Sequence, residues 1–241
     1  MPGSRYEQIE VIVDLMVRLE PRSVLDVGIG NGLYGLLVRQ YVEGAGPFAE
    51  GAVRLDGIEI FEGYLTGVQR TVYNDIMVGD AMEILPGLPS GSYDLALALD
   101  VVEHLHDPRG DELLGHLRRV ARNVIVTSPR GEFPQGELFG NVHETHVSKW
   151  PPARLRRASA AVVVPHPFIS IALFTDDRRF ARYYRRYLRV RRMAMLAPAW
   201  LVARMVSVGP LREFALRRAR DDDGTDSGGP SPGPLGTSPA P

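Results

Sequence analysis

The stretch Val24-Leu-Asp-Val-Gly-Ile-Gly-Asn-Gly32 constrains this chain more than any other. A short apolar run closes in glycines at every second position, and apolar residues at helical spacing run on from Leu33 to Val42. Glycine lets the backbone turn tightly at such a place and lets a ligand approach the main chain. In open α/β sheets ligands sit beyond the carboxyl ends of the strands. A strand, a glycine bend and a helix, in that order, open a βαβ unit. A bend of this kind also serves as a purely structural turn, so its meaning depends on the rest of the chain.

Beyond the bend, strands and helices alternate regularly. Strand-like runs occupy Leu55 to Ile60, Ile76 to Val78, Tyr93 to Leu99 and Asn123 to Thr127, with helical segments at Phe61 to Tyr73, Ala81 to Leu85 and Pro108 to Val120. Before the bend, Ile9, Ile12, Val13, Met16 and Val17 mark a helix from Tyr6 to Leu19, which Pro21 ends. Such alternation predicts right-handed crossovers and a mostly parallel sheet covered on both faces. The strands are short and almost wholly apolar, as doubly covered strands are. Ala161 to Val164 and Phe168 to Phe174 add two more, and Pro165 and Pro167 between them predict a hairpin at a sheet edge. Glu43 to Ala52 reads as a glycine-rich loop.

Two cofactor classes compete for the bend. A dinucleotide site, as in a nicotinamide-dependent dehydrogenase, needs G-x-G-x-x-G, and its third glycine position holds Leu33. The chain has G-x-G-x-G instead, with Asp26 two residues ahead of the first glycine. This resembles the first motif of the class I S-adenosylmethionine-dependent methyltransferases. Leu55-Asp-Gly-Ile-Glu-Ile60, Val78-Gly-Asp-Ala81 and Tyr93-Asp-Leu-Ala-Leu-Ala-Leu-Asp100 are similar to the family's next three, each with an acid at a strand end. The resemblance covers about residues 6–174 and implies a doubly wound, Rossmann-like sheet of seven strands with a reversed final strand. It implies that Asp26, Gly28, Gly30 and Gly32 hold the methionine part of S-adenosylmethionine. Glu59 would take the ribose, Asp80 and Ala81 the adenine, and Asp100 would lie near the methionine end. Any one of these acids alone reads as a helix cap or a solvated turn.

The acceptor side begins at Asp100-Val-Val-Glu-His-Leu-His106, an acid followed by Glu-His, which resembles a subgroup acting on small molecules. His143-Glu-Thr-His146 comes after the fifth strand. A hydroxyl acceptor needs a base, and imidazole is suited to that near neutral pH. His104 and His146 are the candidates, with bracing of the loop as the competing role for His104. His106 and His143 read as exposed loop residues. Asp100, Glu103, His104 and His146 also resemble, in order, the metal ligands of the small-RNA 3′-terminal ribose methyltransferases. A divalent metal is thus a second reading, and Asp100 is shorter than the glutamate of that pattern. A non-catalytic scaffold that only binds the cofactor is a third.

Composition adds bounds. The chain of 241 residues has a formal charge of −1, so no global field draws it to nucleic acid or membrane. It has no cysteine, which excludes disulfides, thiolate zinc and cysteine nucleophiles. The first twenty residues lack the pattern of a signal peptide, and a cytoplasmic protein is the expectation. The charge is uneven. Arg178 to Arg220 carries a basic helical extension in which Phe180, Tyr183, Tyr184 and Tyr187 share one face. We expect a domain over 1–175, this extension over 176–220, and a disordered tail over 221–241. The extension offers three roles: arginines facing solvent, an anionic membrane surface, or phosphate-bearing acceptors. A small molecule, a saccharide or a lipid-linked intermediate is the expected acceptor, and nucleic acid the less expected one.

Overall fold

The computed structural model describes residues 6–43, 52–131 and 133–196. The part of the expected basic extension beyond Leu196, the tail, and most of the 43–52 loop lie outside those residues. The chain divides into two compact units, Met1–Arg186 and Tyr187–Pro241.

The first unit is built on one sheet of seven strands. These are β1 (Ser23–Val27), β2 (Arg54–Glu59), β3 (Asp75–Val78), β4 (Tyr93–Leu99), β5 (Ala121–Pro129), β6 (Val162–Val164) and β7 (Ile169–Thr175). Their order is β3-β2-β1-β4-β5-β7-β6, with β7 antiparallel to both neighbours. The reversed strand and the edge hairpin are as the sequence predicts. The chain winds outward from β1 to β3, returns, and winds the other way from β4. The switch between β1 and β4 opens a crevice at their carboxyl ends, which is where such sheets bind ligands.

Helices cover the sheet: α1 (Ile9–Leu19), α2 (Leu33–Leu37), α3 (Gly67–Val72), α4 (Ala81–Ile84), α5 (Asp107–Val120) and α6 (Pro152–Arg157). Helix α1 buries Val11, Ile12, Leu15 and Met16, a stripe at helical spacing, and ends at Glu20 in the left-handed region before Pro21. Leu113, Leu114 and Leu117 of α5 meet Ala96, Ala98, Val124 and Val126 of the sheet in one continuous core.

Two expected helices are broken. The helix over 61–73 is a short 3-10 turn at Glu62–Tyr64 and then α3, which Thr66 and Gln69 start with reciprocal caps. The helix over 33–42 widens after Leu37 into a π-type turn, Val38–Glu43. Glu43 is therefore not loop: it is buried, with Arg39 and the Val53 amide bonded to its carboxylate.

The basic segment forms α7 (Arg178–Leu196). Within the first unit, Ala181 and Tyr184 are buried and the Tyr184 hydroxyl donates to Asp14 at 2.8 Å. Tyr183 is half exposed, so the packed face is narrower than the aromatic pattern suggested. Among the described residues no helix is long and apolar enough to cross a membrane.

Candidate active site

A cleft of about 550 Å³ opens at the switch point. All the candidate residues except Gly32 line it: Asp26, Gly28 and Gly30 from the bend, Glu59, Asp80 with Ala81, Asp100, His104 and His146. Gly32 stands at the start of α2 with φ 77°. The bend is a cradle that only glycine can form. Gly28 has φ 76°, and a Cβ there would lie 2.7 Å from Val101 Cγ2.

Each acid on the bend side of the cleft is already held. Asp26 accepts from the Tyr73 hydroxyl at 2.6 Å, and burial pushes its carboxyl up to about 6. Glu59 accepts from the amides of Gly30 and Phe61, both at 2.9 Å, and burial raises its pKa. Its Gly30 bond fixes β2 against the bend. Asp80 caps α4 through the Met82 amide and pairs with Arg109 at 3.0 Å. Asp100 sits at φ 55°, a conformation that costs a non-glycine residue about 1–2 kcal/mol. Its carboxylate accepts from Thr127 at 3.1 Å and from Gln8 at 2.7 Å.

The acceptor side is organised through Glu103. Its carbonyl accepts the amides of Val147 and Ser148, and Ser148 and Trp150 both donate to the Val102 carbonyl. Trp150 is fully buried, packed against Gly110 and stacked by Arg154 at 3.5 Å. This anchor brings the 146–150 segment against the turn Val102–His104 and sets the two candidate histidines edge to face, 4.8 Å apart.

Both rings are fixed by main-chain carbonyls. His104 Nδ1 meets Thr145 O at 3.2 Å and His146 Nδ1 meets Phe133 O at 2.7 Å. A carbonyl can only accept, so each Nδ1 carries the hydrogen and each Nε2 keeps a free lone pair. Burial lowers the His104 pKa. Glu103 is 2% exposed and neither of its carboxyl oxygens has a hydrogen-bond partner of good geometry. Burial, with Asp100 nearby, raises its pKa well above the usual range, and the neighbouring Ser128 hydroxyl opposes that rise only in part. Ligand atoms of Glu103, His104 and His146 lie within 4.8 Å of one another. Asp100, the fourth residue of the expected metal set, has its carboxylate bonded to Thr127 and Gln8.

A strap crosses the cleft: Tyr64, after β2, donates to Glu144 at 2.9 Å, and Gln135 donates to the Glu144 carbonyl at 2.8 Å. His143 is exposed yet lines the cleft, a role the sequence did not suggest. Nor does the sequence single out Gln8, Tyr64 or Tyr73. They act through bonds that span tens of residues, and no local spacing marks them.

Residues 25–124 match the family described as "Methyltransferase domain". No curated protein matches the chain in sequence. Among solved structures, the N-terminal domain of EvdMO1, crystallised in the presence of SAH and D-fucose, is similar with TM-score 0.52 and 14% identity, over 72% of this chain and 84% of that one. Monomeric WbdD is similar with TM-score 0.51 and 19% identity, over 72% of this chain and 42% of that one. A SAM-dependent methyltransferase from Archaeoglobus fulgidus aligns at 22% identity and TM-score 0.44, over 62% of this chain and 66% of that one. The chain thus spans less than two thirds of the length of several of these proteins. At these identities the likeness speaks to the fold alone.

Proposed function

We propose that the chain, whose residues 25–124 match a methyltransferase domain, is a class I S-adenosylmethionine-dependent methyltransferase that methylates an oxygen of a small molecule, a saccharide or a lipid-linked intermediate. Gly28 and Gly30 line the cleft at the carboxyl end of β1, where the glycine bend lets a ligand approach the main chain closely. Asp26 and the bend would hold the methionine part, Glu59 the ribose, Asp80 and the Ala81 amide the adenine, with Asp100 towards the methionine end. Glu59 and Asp80 each keep lone pairs beyond the bonds they already make.

The observation that carries an oxygen acceptor is the pair of free Nε2 lone pairs on the cleft wall. A hydroxyl attacking the methyl carbon forms a C–O bond as the C–S bond breaks, the thioether leaves with the electron pair, and the hydroxyl proton passes to Nε2 of His104 or His146. Such a base contributes about 10²–10⁴ in rate, and fixed alignment supplies the rest. The test is transfer of labelled methyl into saccharide, lipid and RNA fractions, with the product bond identified. Label confined to nitrogen or carbon would remove this reading.

A second reading is favoured by the unpartnered Glu103 carboxyl beside two imidazoles. These residues would hold a divalent metal, which would lower the pKa of an acceptor hydroxyl, as in methylation of an RNA-terminal ribose. Protein purified without added metal or chelator, and found metal-free yet active, excludes it. We further propose that the exposed Arg178, Arg179, Arg182 and Arg186 meet an anionic membrane surface. Loss of liposome co-sedimentation on truncation after Asp177 is the expected result, and no sedimentation of the full chain removes the idea.

A further inference from the structure

The bond from the Tyr64 hydroxyl to Glu144 Oε1 joins the two walls of the cleft, and each of its ends is built into a frame. On the bend side Gln69, 1% exposed, donates through Nε2 to the carbonyls of Tyr64 at 2.9 Å and Gly30 at 2.7 Å. Its Oε1 accepts from the amide and the hydroxyl of Thr66, so the carboxamide is held at both ends. Phe61 meets Tyr64 edge to face, with ring centroids 4.8 Å apart, and the Phe61 amide donates to Glu59. Tyr64 is thereby fixed relative to the glycine bend and to the candidate ribose acid. On the histidine side Glu144 closes a short turn, Val142–Glu144, which Asn141 caps by accepting the His143 amide at 3.0 Å. Gln135 donates to the Glu144 carbonyl, and its own carbonyl accepts the His146 amide at 3.0 Å. The next residue, Thr145, supplies the carbonyl that takes His104 Nδ1. From Gly30 to the His104 ring the path runs through Gln69, Tyr64, Glu144 and Thr145, and each step is a hydrogen bond or a peptide link.

We infer that Tyr64 is a positioning residue: through Glu144 it holds the Thr145 carbonyl, and with it the His104 ring, in register with the bend that carries the cofactor. A carboxylate accepts a hydrogen bond more strongly than a neutral oxygen does, which suits Glu144 to hold a strap across a water-filled opening. The Thr145 carbonyl keeps the ring hydrogen on Nδ1 only while the strap stays at its present height. With the strap displaced, the hydrogen exchanges between the two nitrogens, and Nε2 is no longer always bare to take a proton. A reacting geometry spoiled by about 1 Å can cost about 100-fold in rate. A brace that merely stiffened the strap would lower the melting temperature and leave the ring as it is. The effect on rate rests on the reading of His104 as the proton acceptor, and the effect on the ring stands apart from that reading.

Ring nitrogen–proton correlation spectra of the full chain, labelled at histidine and free of ligand, read the tautomer directly. The His104 signals are assigned by their loss in His104→Ala. At a pH where the ring is neutral, wild-type protein should show His104 as the single Nδ1–H form. Tyr64→Phe, which removes only the hydroxyl, and Glu144→Ala should each turn it into a mixture. Glu144→Gln, whose amide oxygen still accepts the phenol, should keep the single form. Transfer of labelled methyl from S-adenosylmethionine into the accepting cell fraction is measured in parallel. Tyr64→Phe and Glu144→Ala should each lower kcat about 10- to 100-fold, with KM for S-adenosylmethionine and affinity for S-adenosylhomocysteine changed by less than about threefold. The double variant should fall no further than the lower of the two, since both remove the same bond. His104 spectra unchanged in both variants overturn the inference, as do losses of rate that add in the double variant. A mixed tautomer with kcat unchanged upholds Tyr64 as the residue that positions the ring and overturns His104 as the base.

Discussion

The two sides of the cleft solve opposite problems. On the side of the glycine bend every acid is already bonded: Asp26 to Tyr73, Glu59 to two amides, Asp80 to a helix start and Arg109, Asp100 to Gln8 and Thr127. On the side of His104 and His146 the buried Glu103 carboxyl has little but the Ser128 hydroxyl beside it, and both imidazole Nε2 atoms are left without a donor. A network completed before ligand arrives fixes geometry and binds a constant partner with little reorganisation. A network left incomplete lowers the stability of the empty protein and returns that free energy only to a ligand with the missing groups. On the proposed reading, the first side would serve the constant half of the reaction and the second would discriminate among acceptors.

The largest effect should come from the base. His104→Ala or His146→Ala is expected to lower kcat by about 10²–10⁴ for whichever histidine takes the proton, with S-adenosylhomocysteine affinity unchanged. A parallel loss of affinity would erase the division between the two sides. Burial lowers the His104 pKa, so if His104 is the base, kcat/KM should fall only as pH drops below its ordinary 6.5. A limb at or above 6.5 would assign the role to another group.

Next in size is the cradle. Gly28→Ala adds a left-handed penalty and a 2.7 Å contact, and should weaken S-adenosylhomocysteine binding about 100-fold while the fold survives. Calorimetry reads the first and thermal melting the second. Gln8→Ala removes one bond to Asp100 and should weaken the same ligand by about 3- to 10-fold, raising KM for S-adenosylmethionine more than it changes kcat. An equal effect on acceptor KM would show that the sides are coupled.

The smallest effect is on stability against pH. Asp26, Glu59 and Glu103 all have raised pKa values from burial. A carboxyl raised in the folded state contributes its stability below the unfolded value and loses it as pH rises through the folded one. The ligand-free protein should therefore melt at falling temperature as pH climbs from 3.8 through about 6, the window set by Asp26, and further where Glu103 ionises. His104, lowered, contributes in the opposite direction, losing stability as pH falls. Glu103→Gln should flatten the upper part of the decline, and an unchanged profile would deny that Glu103 is the unmet group.

Legibility in the sequence divides along the same line. The strands and the acids at their tips were readable because burial on both faces enforces apolar runs, and a ligand beyond a strand end enforces glycine and carboxylate at fixed offsets. β4 was read to the residue at both ends. The π-type turn at Val38–Glu43 was not, because Arg39 and Glu43 sit at ordinary helical spacing and the widening answers to Val53 and Asn74 far along the chain. On the acceptor side His104 and His146 were identifiable as residue types, but their pairing depends on Trp150 and on the amides that Glu103 receives. The unmet state of Glu103 is a property of three-dimensional surroundings and leaves no trace in one dimension.

The carbonyl tethers on the two imidazoles carry one more consequence. A ring whose Nδ1 hydrogen is committed to the main chain cannot hand a proton from one nitrogen to the other, so neither histidine is a conduit. Whatever proton arrives at Nε2 must depart from Nε2, through the same opening the substrate uses. If either histidine is the base, each cycle would end with a resetting step that waits for the methylated molecule to move aside, and turnover should respond to solvent viscosity and to small buffer bases that can reach that opening.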